Sequence, residues 1–142
     1  MIRQYQPGDT DALVALWRRA NALAHPFLKK AFVAQVAQDM RDVYLPNAET
    51  WVSVRDAAPI GFIALIGSDI GGLFVDPDHH GHGHGRALAD HGAALHGPLR
   101  VEVFAQNTLG RRFYDRYGFV ETGRYQHAPS GEMTLQMAMP AV

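Results

Sequence analysis

"LFVDPDHHGHGHGRAL", Leu73 to Leu88, is the stretch whose reading decides the fold. An apolar run ends at Pro77, histidines and glycines alternate, and a segment carrying alanine and leucine begins. That order is strand, tight turn, helix. Four histidines and three glycines fill the turn from His79 to Gly85. Three readings are open: a flexible polar turn, a metal-binding loop, or a cradle for an anion. A strand that ends just before a helix N-terminus brings several unpaired backbone N–H groups to one point, which favours an anion. Gly81, Gly83 and Gly85 let the backbone approach a bulky anion closely.

The elements around this stretch can be read outward from it. "TWVSVR" alternates, "DAAP" turns and "IGFIALIG" is apolar, the pattern of an antiparallel hairpin. "IGGLFVDP" is the strand that feeds the turn. From Gly83 to His96 the spacing is helical, with Ala87, Leu88, Ala94 and Leu95 expected to face inward and Gly97 as the stop. "LRVEVFA" is the next strand, so the two strands and their helix form a right-handed parallel unit. "NTLGRRFYDRYG" reads as a short helix and "FVETG" as a strand. "EMTLQMAM" alternates, with Met133, Leu135, Met137 and Met139 expected to face the core. At the start, "IRQYQ" is a strand, and Asp9 or Thr10 is expected to cap a helix striped by Leu13, Leu16, Trp17 and Ala20. "AHPFLKK" breaks that helix at Pro26. A second helix carries Phe32, Val36, Met40 and Val43 on one side and is expected to stop by Pro46. The order β-α-α-β-β-β-α-β-α-β-β describes an α/β chain with a mixed sheet, and residues 1–142 read as one domain.

Composition narrows the function classes. The 142 residues carry a formal net charge of −1 with histidine neutral, which argues against broad electrostatic binding to nucleic acid or an anionic membrane. There is no cysteine, so disulfides, thiolate chemistry and cysteine zinc sites are excluded. The opening "MIRQYQPGDT" lacks the apolar core of a signal peptide, and "PIGFIALIG" is too short to span a bilayer. A soluble, cytoplasmic protein without a membrane or nucleic-acid partner is expected.

Known anion loops can be compared with the turn. No "GK[ST]" follows, so it is not a P-loop. Gly81 and Gly83 begin a dinucleotide fingerprint, but Arg86 stands where its third glycine belongs. "LFVDPDHHGHGHGRAL" instead resembles the central motif of the GNAT superfamily of acetyl-CoA-dependent N-acetyltransferases. There a strand ends in V-x-P and is followed by [Q/R]-x-x-G-x-[G/A] and a helix. The pattern falls on His80, Gly83 and Gly85, with Arg86 opening the helix, and His80 departs from the usual glutamine or arginine. "QNTLGRRFYDRYGFVETG" resembles the family's N-x-x-[A/G]-x-x-F-Y-x-x-x-G-F segment at Asn107, Gly110, Phe113, Tyr114, Gly118 and Phe119. The resemblance covers roughly Pro59 to Thr122.

The resemblance implies a fold and a reaction. The fold is a central, mostly antiparallel sheet of six to seven strands with one splayed parallel pair, flanked by about four helices. The reaction is acetyl transfer from acetyl-CoA to a primary amine by direct attack in a ternary complex, leaving CoA. Leu73, Phe74 and Val75 would line the pantetheine arm, with an amide near Val75 polarising the thioester carbonyl. Backbone groups of Gly81, His82, Gly83, His84, Gly85 and Arg86, with His80, would hold the pyrophosphate. Asn107, Phe113 and Tyr114 complete the cofactor side. Tyr114 is the expected general acid for the departing thiolate, with Tyr117 a weaker competitor. A packing role for Tyr114 and a helix cap for Asn107 are the plain structural alternatives.

The residues offer no single general base. Glu102 lies mid-strand on the face opposite Val101 and Val103, where a carboxylate needs a partner, a task or solvent. His25, in the break between the first helices, and Asp69, before the fourth strand, are the other candidates. Trp17, Phe27 and Phe32 suit the core or the wall of an acceptor pocket. The acceptor is a small molecule or a peptide amine, and the segment from Ala22 to Lys30 is expected to choose it. Two other readings compete. One is a non-catalytic acetyl-CoA sensor. The other is a metal-binding loop built on His79, His80, His82 and His84, for which only Asp76 and Asp78 offer carboxylates, so no resident metal is expected. The family's dimers admit a homodimer, but no stretch singles out an interface. Arg18-Arg19 and Arg111-Arg112 read as solvated helix faces.

Overall fold

Seven strands form one sheet in the order β1-β2-β3-β4-β5-β7-β6 in the computed structural model, which describes residues 1–141. The strands are β1 Ile2–Gln4, β2 Glu49–Arg55, β3 Ala58–Ile66, β4 Asp69–Val75, β5 Arg100–Phe104, β6 Val120–His127 and β7 Glu132–Ala138. Every neighbouring pair is antiparallel except β4 and β5. The helices are α1 Thr10–Ala24, α2 Lys30–Asp39, a single turn α3 Leu45–Asn47, α4 His84–His96 and α5 Thr108–Tyr117. Element order and sheet type are those read from the sequence.

Alternation along the strands builds a core on each face of the sheet. One side holds Ile63, Leu65, Ile70, Leu88, Val101 and Val103, under α4 and α5. The other holds Leu13, Leu16, Trp17, Val52 and Phe62, under α1 and α2. The stripe of α1 is therefore buried as expected. Its cap is not. Asp9 makes no side-chain cap bond to α1; its carboxylate accepts from Gln6 N–H at 2.8 Å and from both terminal nitrogens of Arg3, which ties β1 to the helix entry.

The second helix departs from its expected stripe. After α2 the chain makes a π turn over Met40–Tyr44 and then α3, which carries Pro46 in its first turn. A π turn inserts an extra residue per turn and rotates everything after it. Inward-facing Met40 is therefore followed by Leu45 rather than by Val43 or Tyr44, both 49% exposed. Pro46 opens a new turn instead of ending the helix.

Two further faces differ from expectation. On α4 the buried residues are Leu88, Ala89 and Gly92, while Ala87 and Ala94 are exposed and Leu95 is 50% exposed. A Cβ at Gly92 would sit 3.3 Å from Leu65 and 3.4 Å from Leu99. The glycine lets the helix approach the sheet and so sets which face turns inward. On β7, Leu135 and Met137 are buried, but Met133 is exposed and Thr134 is buried. Met133 lies past the last β5 pairing, Phe104 with Thr134, and so has no core above it.

β4 and β5 pair only at Asp69 with Arg100 and Ile70 with Val101. Beyond these, β4 stays with β3 as far as Val75 and Gly61, and β5 stays with β7 as far as Phe104 and Thr134. The strands diverge and leave a wedge-shaped opening through the middle of the sheet.

The rotation by the π turn is testable. Leu45→Ala should cost about 2–5 kcal/mol in urea unfolding, the usual loss for a buried leucine. Tyr44→Ala should stay within about 0.5 kcal/mol of wild type, as at an exposed site. Equal losses at both positions would contradict the assignment.

Candidate active site

The opening between β4 and β5 leads into a cleft of about 690 Å³. It is lined by β4 from Ile70 to Val75, β5 from Val101 to Phe104, the glycine-histidine loop, one face of α5 and the end of α1. Leu73, Phe74 and Val75 all line it, as do His80, Gly81, Gly83, His84, Gly85, Arg86, Asn107, Phe113 and Tyr114. The structure thus brings nearly all the expected cofactor residues to one cavity. His82 is the exception and does not line it.

The loop's shape follows from its glycines and from two anchors. Gly81 and Gly83 both have φ of 81°, the left-handed region that disfavours side chains. The amides from Gly81 to Arg86 have no backbone or side-chain acceptor among the described residues. Asp76 holds the start of the turn: it accepts from Asp78 N–H at 3.0 Å and pairs with Arg19 of α1. His80 Nε2 bonds the carbonyl of Val75 at 2.8 Å. Where the motif has a longer polar side chain, His80 pins the loop back onto β4. Gly85 sits against Phe113, whose ring would lie 3.1 Å from an added Cβ.

The loop histidines do not gather into a site for an ion. The rings of His79 and His84 are 6.1 Å apart and those of His82 and His84 are 6.4 Å apart. Burial, helped by His79 and Arg55, lowers the pKa of His84, and its Nε2 is buried without a partner. Among the described residues no three histidine, aspartate or glutamate side chains are placed to hold a metal.

The α5 helix aims its residues as its amphipathic spacing dictates. Asn107 caps it, its side-chain oxygen accepting from Gly110 N–H at 2.8 Å. Tyr114 is buried between Phe113 and Phe119, yet it reaches the cleft. Burial raises its pKa far above the usual phenol range, so it stays protonated. Tyr117 does not line the cleft. It donates to Asp90 at 2.6 Å and lies 4.9 Å beneath the Arg86 guanidinium. Arg112 and Arg116, one turn apart, line its mouth, and both are solvent-exposed, as expected of the Arg111-Arg112 face.

The three base candidates separate clearly. Glu102 is the first β5 residue past the last β4 pairing, and among the described residues it is the only carboxylate lining the cleft. Asp69 stands at the closed end of the wedge, bound to Arg100 at 2.8 Å and outside the cleft. His25 lines the cleft with both ring nitrogens engaged: Nδ1 with Asn21 Oδ1 at 2.6 Å, Nε2 with Asn107 Nδ2 at 3.0 Å.

The far wall was not read from the sequence. Phe104, Tyr125, His127 and Thr134 line it, and Phe27 and Phe32 pack edge-on against Phe104 and His127. The register brings Tyr125 opposite Thr134 and Thr134 opposite Phe104, on the face that carries Glu102. Burial, then the Glu102 carboxylate, raises the Tyr125 pKa. Trp17 instead packs in the core against Phe74.

Other proteins share this architecture. A family model of the acetyltransferase (GNAT) domain matches residues 46–121. The peptidyl-lysine N-acetyltransferase YjaB of Salmonella typhimurium is 39% identical over 124 residues, 87% of this chain and 85% of that protein. The solution structure of apo-form YjaB from Escherichia coli matches with a TM-score of 0.90 and 32% identity, covering 100% of this chain and 98% of that one. A PaiA N-acetyltransferase from Thermoplasma acidophilum, solved in complex with coenzyme A, shares the fold with a TM-score of 0.80 and 16% identity, over 98% and 97% of the two chains. The chain belongs to the GNAT family of acetyltransferases, and it is an enzyme of that class.

The half-buried His25 gives a pH test. Burial lowers the His25 pKa from its ordinary 6.5 to about 4. Between those values the unfolded chain takes up a proton that the folded chain does not. The stability this group contributes is therefore complete above pH 6.5 and is lost as pH falls toward 4. Wild type should lose about 2 kcal/mol more than His25→Gln between pH 7 and pH 5. Parallel losses in urea unfolding at the two pH values would contradict a neutral, desolvated His25.

Proposed function

We propose that this enzyme carries an acetyl group from acetyl-CoA directly to a primary amine, with both bound at once. The observation that carries the reading is the divergence of β4 and β5 beside a loop of unpaired amides. Acetyl-CoA is an extended pantetheine arm joined to a pyrophosphate, and the two halves of the cleft fit it. The open edge of β4 from Gly71 to Val75 offers backbone groups to the arm. The loop from Gly81 to Arg86 and the N-terminus of α4 offer donors to the pyrophosphate. Acetyl-CoA brings the acetyl group already activated as a thioester.

The remaining chemistry falls to the chain's own groups. Tyr114, kept protonated by burial, supplies the proton that a leaving thiolate needs. Glu102, at the vertex of the wedge, accepts the proton that an ammonium must lose before it becomes a nucleophile. The aromatic wall of Phe27, Phe104 and His127 excludes water and suits the aliphatic stem of an amine. Relatives named peptidyl-lysine N-acetyltransferases make a lysine side chain in a peptide the first acceptor to test. Among the described residues no helix is long and apolar enough to cross a membrane; a net charge of −1 suits a cytoplasmic peptide or small-amine substrate.

The experiment is a transfer assay with acetyl-CoA and a lysine-containing peptide, beside a panel of small amines. Tyr114→Phe should lower kcat by about 10²- to 10⁴-fold and leave the acetyl-CoA Kd nearly unchanged, because only a transition-state role is removed. Gly83→Val should weaken acetyl-CoA binding itself, since a branched residue at φ 81° distorts the loop. Acetyl-CoA binding that is indifferent to Gly83→Val would misplace the cradle. Full turnover in Tyr114→Phe would remove the proposed acid. Tight acetyl-CoA binding with no acceptor turned over would favour a sensor.

A further inference from the structure

His25 follows α1 directly, where the chain enters the segment before α2, and its bond to Asn107 joins residues 82 apart in sequence. The hydrogen positions follow from one fixed point. Gly110 N–H can only donate, so the Asn107 atom it meets is the oxygen. The Asn107 amide nitrogen therefore faces His25 and donates to Nε2. Nδ1 then carries the ring hydrogen and gives it to Asn21 Oδ1. A protonated ring would set its Nε2–H against the Asn107 Nδ2–H. The network closes only with a neutral imidazole in the Nδ1–H form.

The ring also spans the wedge. It meets Phe74 of β4 at 6.5 Å and Phe104 of β5 at 5.0 Å, both edge-on. These residues lie near the tips of the diverging strands. Asn107, the group His25 holds, caps the helix that carries Tyr114.

We propose that His25 is a positioning residue and not the proton acceptor: it braces the open ends of β4 and β5 and fixes Asn107, and through that cap the start of α5 and the placing of Tyr114. The kinetic half of this inference rests on the acetyltransferase reading; the structural half does not. Proton removal from the amine is then left to Glu102 or to a water it holds.

Imidazole nitrogen NMR of the unliganded full chain tests the structural half. The His25 ring should hold the Nδ1–H form from about pH 8 to about pH 5, while an unshifted histidine would titrate across that range. An Nε2–H form, or titration within it, overturns the proposal. Transfer to the lysine peptide tests the kinetic half. His25→Phe keeps a ring but loses both bonds, and should lower kcat on the order of 10²-fold, well beyond any weakening of acetyl-CoA binding through the freed Asn107. His25→Gln keeps an acceptor for Asn107 and should restore most of the loss. In an Asn107→Ala background, His25→Phe should add little, because the two residues act through one bond. His25→Gln as slow as His25→Phe, with additive losses in the double variant, would mark His25 as the base and overturn the proposal. Absence of turnover in wild type would defeat the acetyltransferase reading alone. The ring spectra, with non-additive urea stabilities in the same variants, would still decide whether the brace exists.

Discussion

Everything at the site depends on the failure of β4 and β5 to stay paired. Two residue pairs hold them together, and then each follows its other neighbour. A parallel pair cut short leaves backbone donors and acceptors facing an opening, which is costly unless something fills it. The cost is tolerated because both strands remain bonded on their outer edges and the opening is walled by side chains from both faces of the sheet. Tyr114 and Phe113 close one side; His25, Phe104 and the aromatic wall close the other. An extended molecule with its own amides is the natural complement to such a gap.

The glycine loop is the second half of the same design. It turns the chain from β4 into α4 through two left-handed residues and leaves its amides pointing at no protein group. It is held from outside by Arg19 on Asp76 and by His80 on Val75. Such anchoring keeps the amides preorganised, so that little ordering would be needed for an anion to bind there. Of the histidines that dominate the sequence here, His80 anchors the loop to β4, and among the described residues no three histidine, aspartate or glutamate side chains are placed to hold a metal.

Legibility in the sequence followed the range of the physics. Element order and the parallel unit were readable because turn residues and period-two runs are local signals. The loop and the α5 residues were readable because their motifs are contiguous, and Asn107 and Tyr114 fall where the family pattern puts them. The faces of α4 and of the segment after α2 were not. Gly92 sets a helix face by close approach, which a hydrophobic pattern cannot register, and a π turn shifts the stripe by one residue. The far wall of the cleft was hidden for another reason. Phe104, Tyr125, His127 and Thr134 come together through strand pairing between β5, β7 and β6, and no single stretch contains that register. The bonds made by His25 and Asp69 likewise reach partners far away in sequence, Asn107 and Arg100.

The most direct test of the central claim is a backbone-amide NMR titration of the full chain with acetyl-CoA. The account predicts saturable, concerted shifts in two separate stretches, Gly71 to Val75 on the open edge of β4 and Gly81 to Arg86 in the loop. Shifts confined to the histidine side chains, or saturable binding that leaves the β4 edge unmoved, would contradict it.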